Sequence, residues 1–154
     1  MSPNYSLYSI PIFWFISLYP HAYAASLIKK SNNNKWNNHN PRSIDTNTSY
    51  QKAVPATCYA RFERAEAAHK NGMENAPFFV GAVVVGNTVG LDASMLGTMN
   101  VVMGMYLVLR MVYTVLYINT TTQKTSYLRS LTWFAGVVLL MGVYVRAGSV
   151  LARV

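Results

Sequence analysis

The sequence predicts an all-α integral membrane protein, a single-domain four-helix bundle of up-down topology. Three observations carry this: long apolar stretches free of charge, 12% charged residues against about 25% in soluble domains, and Lys and Arg gathered in alternate loops. The chain has 154 residues and a formal net charge of +8. Its single cysteine, Cys58, excludes an internal disulfide framework and a zinc finger, and a small inert side chain is its simplest role.

The first helix is expected over about 5–28. Tyr5 to Ile28 is 24 residues without Lys, Arg, Asp or Glu, enough to cross about 30 Å of hydrocarbon at about 1.5 Å per residue. Ile10–Leu18 followed by Ala22-Tyr23-Ala24 imitates a signal peptide and its small-residue cleavage site. The basic segment that should precede it is missing, and Lys29-Lys30 follow instead, so the reading is a retained helix kinked by Pro11 and Pro20. Ser31 to Ser49 contains seven Asn and almost no aliphatic side chains, and 31–53 is read as a polar, poorly ordered loop.

The second helix is expected over about 59–87, its charged first half leading into the apolar Ala76–Leu91, with a break at Gly86 to Gly90 before an Asp92 turn. A third helix over about 93–118 carries one charge, Arg110. After the polar Asn119–Lys124, Ser126 is read as the cap of a fourth helix over about 127–150. Lys29, Lys30, Lys35, Arg42 and Lys52 mark the first loop and Lys124 the third, while the loop between helices two and three has neither Lys nor Arg. The positive-inside rule puts both charged loops in the cytoplasm and both termini on the other side. The positive charge then orients the chain in a membrane, and a nucleic-acid partner loses its support.

Tyr106, Arg110, Tyr113 and Tyr117 recur at spacings of four, three and four, so an arginine and three phenols share one helical face. An arginine at the centre of a membrane helix costs about 2.5–3.5 kcal/mol, which leaves two readings: a functional intramembrane cation, or one that snorkels beside an aromatic belt. Arg64, Asn71, Asn75 and Phe78 share a face of helix two, with Glu63, Lys70 and Glu74 in an adjacent stripe. Glu66 and Lys70 form an i,i+4 pair of ordinary surface type. Glu74 abuts apolar sequence and calls for a cation, from Arg110, Arg64 or a bound ammonium. Arg129 and Ser130 fall in the first turn after Ser126, with Trp133 one turn on, which makes either an anion site at a helix N-terminus or a cytoplasmic anchor.

The string Glu63-Arg64-Ala65-Glu66-Ala67-Ala68-His69-Lys70-Asn71-Gly72-Met73-Glu74-Asn75-Ala76-Pro77-Phe78 resembles the signature of the MAPEG family, membrane-associated proteins of eicosanoid and glutathione metabolism. The Arg110…Tyr113…Tyr117 face, Leu128-Arg129-Ser130-Leu131-Thr132 and Asn40-Pro41 extend the resemblance, which runs from about Tyr59 to Trp133 in matching helix order. It implies a homotrimer in the endoplasmic reticulum membrane, with glutathione as co-substrate between neighbouring subunits on the cytoplasmic side. His69, Lys70, Asn71 and Glu74, with Arg110, Tyr113, Tyr117 and Trp133, would surround glutathione. Arg129 and Ser130 would be catalytic, favouring its thiolate; no metal is implied. Gly81, Ala82, Gly86 and Gly90 would allow close packing between subunits.

There are departures. Some members carry His where Tyr113 stands and Tyr where Trp133 stands. Arg42 directly follows Pro41 where an acid is expected, and Lys29 or Lys30 replaces an arginine. These weaken an isomerase reading and favour a glutathione transferase, with peroxidase activity besides, acting on lipophilic electrophiles or lipid hydroperoxides. The alternative is a non-catalytic trimeric scaffold or lipid-binding protein.

Overall fold

A computed structural model describes residues 3–89, 91 and 93–153. Those residues are helical with short connections: a 3-10 turn at Ser6–Tyr8, then α1 (Ser9–Ser31), α2 (Ile44–Ala53), α3 (Ala56–Thr88), α4 (Ala93–Asn119) and α5 (Gln123–Leu151). Within α4, Met99–Asn119, and α5 along its length are apolar enough to cross a membrane, each with a mean hydropathy of 1.8. α1, with His21 and its tyrosines, and α3, with its charged first half, are less apolar.

The helix α3 sits against α1, α4 and α5, and α1 also meets α4. An aromatic column fixes this arrangement: Phe13 of α1 lies 4.7 Å from Phe79 of α3, which stacks at 4.8 Å on Tyr106 of α4. Gly136 lets α5 close on that column, since a Cβ there would lie 3.2 Å from the Tyr106 ring. Gly72 does the same for α1 and α3, because a Cβ would come within 2.8 Å of Ser17 Oγ. Such contacts matter more in lipid than in water. Apolar burial gains little against acyl chains, so packing and hydrogen bonds must hold the helices together.

Several expectations change. Residues 31–53, read as loop, contain α2. Asn33 and Asn34 take the left-handed conformation at φ 47° and 59°, which Asn tolerates, and so turn the chain out of α1. Ser43 caps α2 by accepting the Thr46 amide, and Trp36 stacks on Tyr50 at 5.5 Å, docking the segment on Phe62 of α3. Pro11 lies in the first turn of α1, where an amide has no partner inside the helix, and only Pro20 is interior.

The cap of α5 is Thr122, which accepts the Thr125 amide, instead of Ser126. Arg129 and Ser130 therefore stand in the second turn, away from the free amides. Gly81 and Gly86 serve contacts within the chain, the former taking the Tyr144 hydroxyl and the latter Met99 and Val143. Gly90 and the turn expected at Asp92 lie outside the described residues.

Candidate functional site

Arg110 is 4% exposed in the middle of the helices, where α4 faces α3. Its Nη2 donates to Asn71 Oδ1 at 3.0 Å, and its guanidinium lies 4.7 Å from the Tyr113 ring centroid. Asn75 Nδ2 donates to the Asn71 carbonyl at 2.8 Å, bracing the turn that presents Asn71. Glu74 calls for a cation from Arg110, Arg64 or a bound ammonium; among the described residues neither Arg110 nor Arg64 is paired with a carboxylate. Arg64 instead donates Nε to the Ile118 carbonyl at 2.8 Å. The reason is angular. At about 100° per residue, Asn71 points toward α4 while Glu74 turns about 60° away toward solvent.

From Arg110 a ladder of rings and cations continues outward. Tyr113 meets Tyr117 edge to face at 5.5 Å, and the Arg129 guanidinium lies 4.4 Å over the Tyr117 ring. Two guanidiniums thus bracket two phenols, held by cation–π attraction worth about 0.5–2 kcal/mol each. Asn71, Tyr113, Tyr117, Arg129, Ser130 and Trp133 line one open cleft of about 430 Å³. Ser130 Oγ donates to the Ser126 carbonyl at 3.1 Å, so its proton is held within its own helix. To donate to a ligand it must rotate and give up that bond.

His69, Lys70 and Glu74 line a different cleft, of about 1030 Å³, between α1, α3 and the segment before α2. Among the described residues of α3, Asn71 alone faces the first cleft, while Glu66, Ala67, His69, Lys70, Met73 and Glu74 face the second. One chain therefore separates the ten expected residues: six in the first cleft, three in the second, and Arg110 buried behind Asn71. His69 is buried with both nitrogens engaged, Nδ1 donating to the Ser17 carbonyl at 2.8 Å and Nε2 accepting from Arg42 at 3.3 Å. His21 Nδ1 pairs with Glu66 Oε1 at 2.7 Å, and the His21 ring lies 5.2 Å from that of His69.

Trp14, Arg42 and Glu66 also face this second cleft. None of the three was singled out as a site residue from sequence. A histidine inside the uncharged Tyr5–Ile28 run was the available signal, since a polar ring there needs a partner such as Glu66.

Chemically, the first cleft is cationic and aromatic, suited to an anion with an apolar neighbour. The second mixes Arg42 and Lys70 with Glu66 and Glu74, and suits a group carrying both signs.

A family model described as the MAPEG family matches residues 10–149, and the chain belongs to that family. MAPEG is a membrane family that includes glutathione transferases and related enzymes. No curated protein and no solved structure matches the chain.

Proposed function

We propose that this chain is a glutathione-dependent membrane enzyme that conjugates lipophilic electrophiles or reduces lipid hydroperoxides, working as a homotrimer whose subunits each carry four long helices and the short α2. The observation that carries the reading is Arg110, a buried cation compensated among the described residues by a neutral amide and a ring, and connected by two tyrosines to Arg129 in an open cleft. A buried charge without a counter-charge is costly, and an anionic co-substrate offsets that cost. Glutathione carries two carboxylates and one ammonium, so it is net negative and also suits the mixed charges of the second cleft. The split between the clefts supports the trimer: the first cleft of one subunit, set against the second of its neighbour, reunites what a single chain keeps apart.

In this scheme Arg129 lies nearest the sulfur and stabilises the thiolate. The thiolate attacks an electrophilic carbon, forming a C–S bond as the leaving group departs with its electron pair. With a hydroperoxide it attacks the distal oxygen, an alcohol leaves, and a second glutathione converts the sulfenic acid to disulfide and water. Tyr117 holds Arg129 through its ring, and Tyr113 relays the positive field from Arg110. Trp133 and Phe134 form the apolar wall beside the sulfur. The polar loops face the cytoplasm in the endoplasmic reticulum, with both termini on the other side.

A second reading, a non-catalytic scaffold, draws on the held Ser130 hydroxyl and on Trp133, which has no phenol to offer. Calorimetric titration with glutathione and turnover of a generic aryl halide separate the two. The enzyme reading expects saturable binding and conjugation. Failure of both in an assembled trimer leaves the scaffold.

A further inference from the structure

The resemblance puts His69 against glutathione, yet the side chain is 7% exposed and both of its ring nitrogens are occupied. Their roles follow from the partners. The Ser17 carbonyl can only accept, so Nδ1 carries the hydrogen at 2.8 Å; a guanidinium can only donate, so Nε2 accepts from Arg42 Nη2 at 3.3 Å. A ring spent in this way has no atom left for a ligand. Fixed to the backbone of α1 and packed 5.2 Å from the His21 ring, it is instead a rigid acceptor that holds Arg42 at the wall of the second cleft.

Arg42 is held at its other end too. Its neighbour Ser43 caps α2 by accepting the Thr46 amide, and Asn37 binds the Thr46 and Tyr50 hydroxyls at 2.7 Å each. A guanidinium offers five N–H donors in a planar fork, and one of them is used on His69. Among the described residues Arg42 is paired with no carboxylate, because Glu66, the acid nearest His69 along α3, is engaged by His21 at 2.7 Å. Lys70 and Glu74 line the same cleft one helical turn apart, a spacing matched to an amino-acid head that carries a carboxylate and an ammonium on one carbon. Arg42 is then left for a second carboxylate, which its fork can grip with two parallel hydrogen bonds. We infer that Arg42 recognises the glycine carboxylate of glutathione, and that His69 acts through it as a positioning residue. The inference rests on the glutathione reading above and assigns one end of that ligand, the γ-glutamyl head lying on Lys70 and Glu74.

The test is calorimetric titration of the full protein, assembled in nanodiscs, with S-hexylglutathione and with its glycyl monoethyl ester. The blocked sulfur keeps thiolate chemistry out of the measurement. The wild-type protein binds the acid at least about tenfold more tightly than the ester. Arg42→Gln lowers affinity for the acid roughly 10- to 100-fold, as the loss of one charge-assisted contact implies, and leaves the ester within about twofold. Arg42→Lys keeps the charge without the fork and recovers part of the preference. His69→Leu also narrows the gap between acid and ester, whereas His69→Gln, which keeps an acceptor for Arg42, preserves more of it. In the Arg42→Gln background His69→Leu changes the ratio of acid to ester no further. A wild-type protein that binds neither ligand overturns the glutathione reading and this assignment with it. Where the acid does bind, an Arg42→Gln loss that is absent, or equal for acid and ester, overturns the assignment of Arg42 and leaves the glutathione reading standing. Additive effects of His69→Leu and Arg42→Gln on the ratio overturn the positioning role of His69.

Discussion

Among the described residues, two of the polar networks that join α3 to α4, one through the N-terminal segment and one around Arg110, balance their groups in opposite ways. Where the N-terminal segment meets the end of α3 and the start of α4, neutral amides satisfy one another. Asn4 donates to Asn87 at 2.5 Å, Asn87 donates to Ser6 Oγ at 3.0 Å and to the Val83 carbonyl at 2.7 Å, and Asn100 receives the Tyr5 amide at 2.9 Å while donating to the Pro3 carbonyl at 2.9 Å. In the Arg110–Arg129 ladder, two cations meet rings and an amide, and among the described residues no carboxylate. A network whose donors and acceptors close on themselves is a clasp. A network that leaves net charge beside an open cleft is built to receive something.

The largest expected effect falls on the open network. Arg129→Ala lowers kcat and kcat/KM together by roughly 10- to 150-fold while glutathione still binds, because the guanidinium acts chiefly after the thiol ionises. Stopped-flow absorbance of the bound thiolate, alongside turnover, checks this, and Arg129→Lys restores the charge but only part of the rate.

The same substitution made in each network sharpens the contrast. Asn87→Asp removes the amide donors to Ser6 and Val83 and sets a carboxylate against a carbonyl, so it destabilises by about 1–3 kcal/mol in thermal unfolding and leaves glutathione affinity alone. Asn71→Asp puts an acid where Arg110 already donates. It raises the thermal midpoint and weakens glutathione about tenfold, because the cation is then neutralised from within. If both aspartates destabilise equally, the distinction between clasp and receiving site fails.

These partners also mark how far the sequence could be read. Four long helices follow from charge-free stretches separated by polar runs, and the need to compensate Arg110 follows from its place in α4. Its partner did not, because charge arithmetic points to Glu74 whereas the crossing of α3 and α4 selects Asn71. The N-terminus of α5 was ambiguous for a related reason. Thr122 and Ser126 are both capping residues, and the apolar sequence begins nearer the second, but the Thr122 hydroxyl reaches the Thr125 amide and starts the helix earlier. In α2 the asparagine-rich composition masked a Ser43 cap and the Trp36–Tyr50 stack, whose effect depends on the distant Phe62.

The smallest effect concerns Tyr117. Arg129 lies over the ring face, so Tyr117→Phe preserves that contact and changes turnover by less than about twofold. Tyr117→Leu removes it and costs about 0.5–2 kcal/mol of transition-state stabilisation. Parallel steady-state assays distinguish ring from hydroxyl.

The most direct test of a site shared between copies is complementation by mixed subunits. One parent carries Arg129→Ala, which disables the first cleft. The other carries Lys70→Met with Glu74→Gln, which disables the second; each parent alone is nearly inactive. Co-expressed in equal amounts, they should recover roughly a quarter of wild-type glutathione conjugation, since a head-to-tail interface draws an intact first cleft and an intact second cleft each half of the time. Activity no higher than the average of the two parents would mean that the two clefts do not meet between subunits.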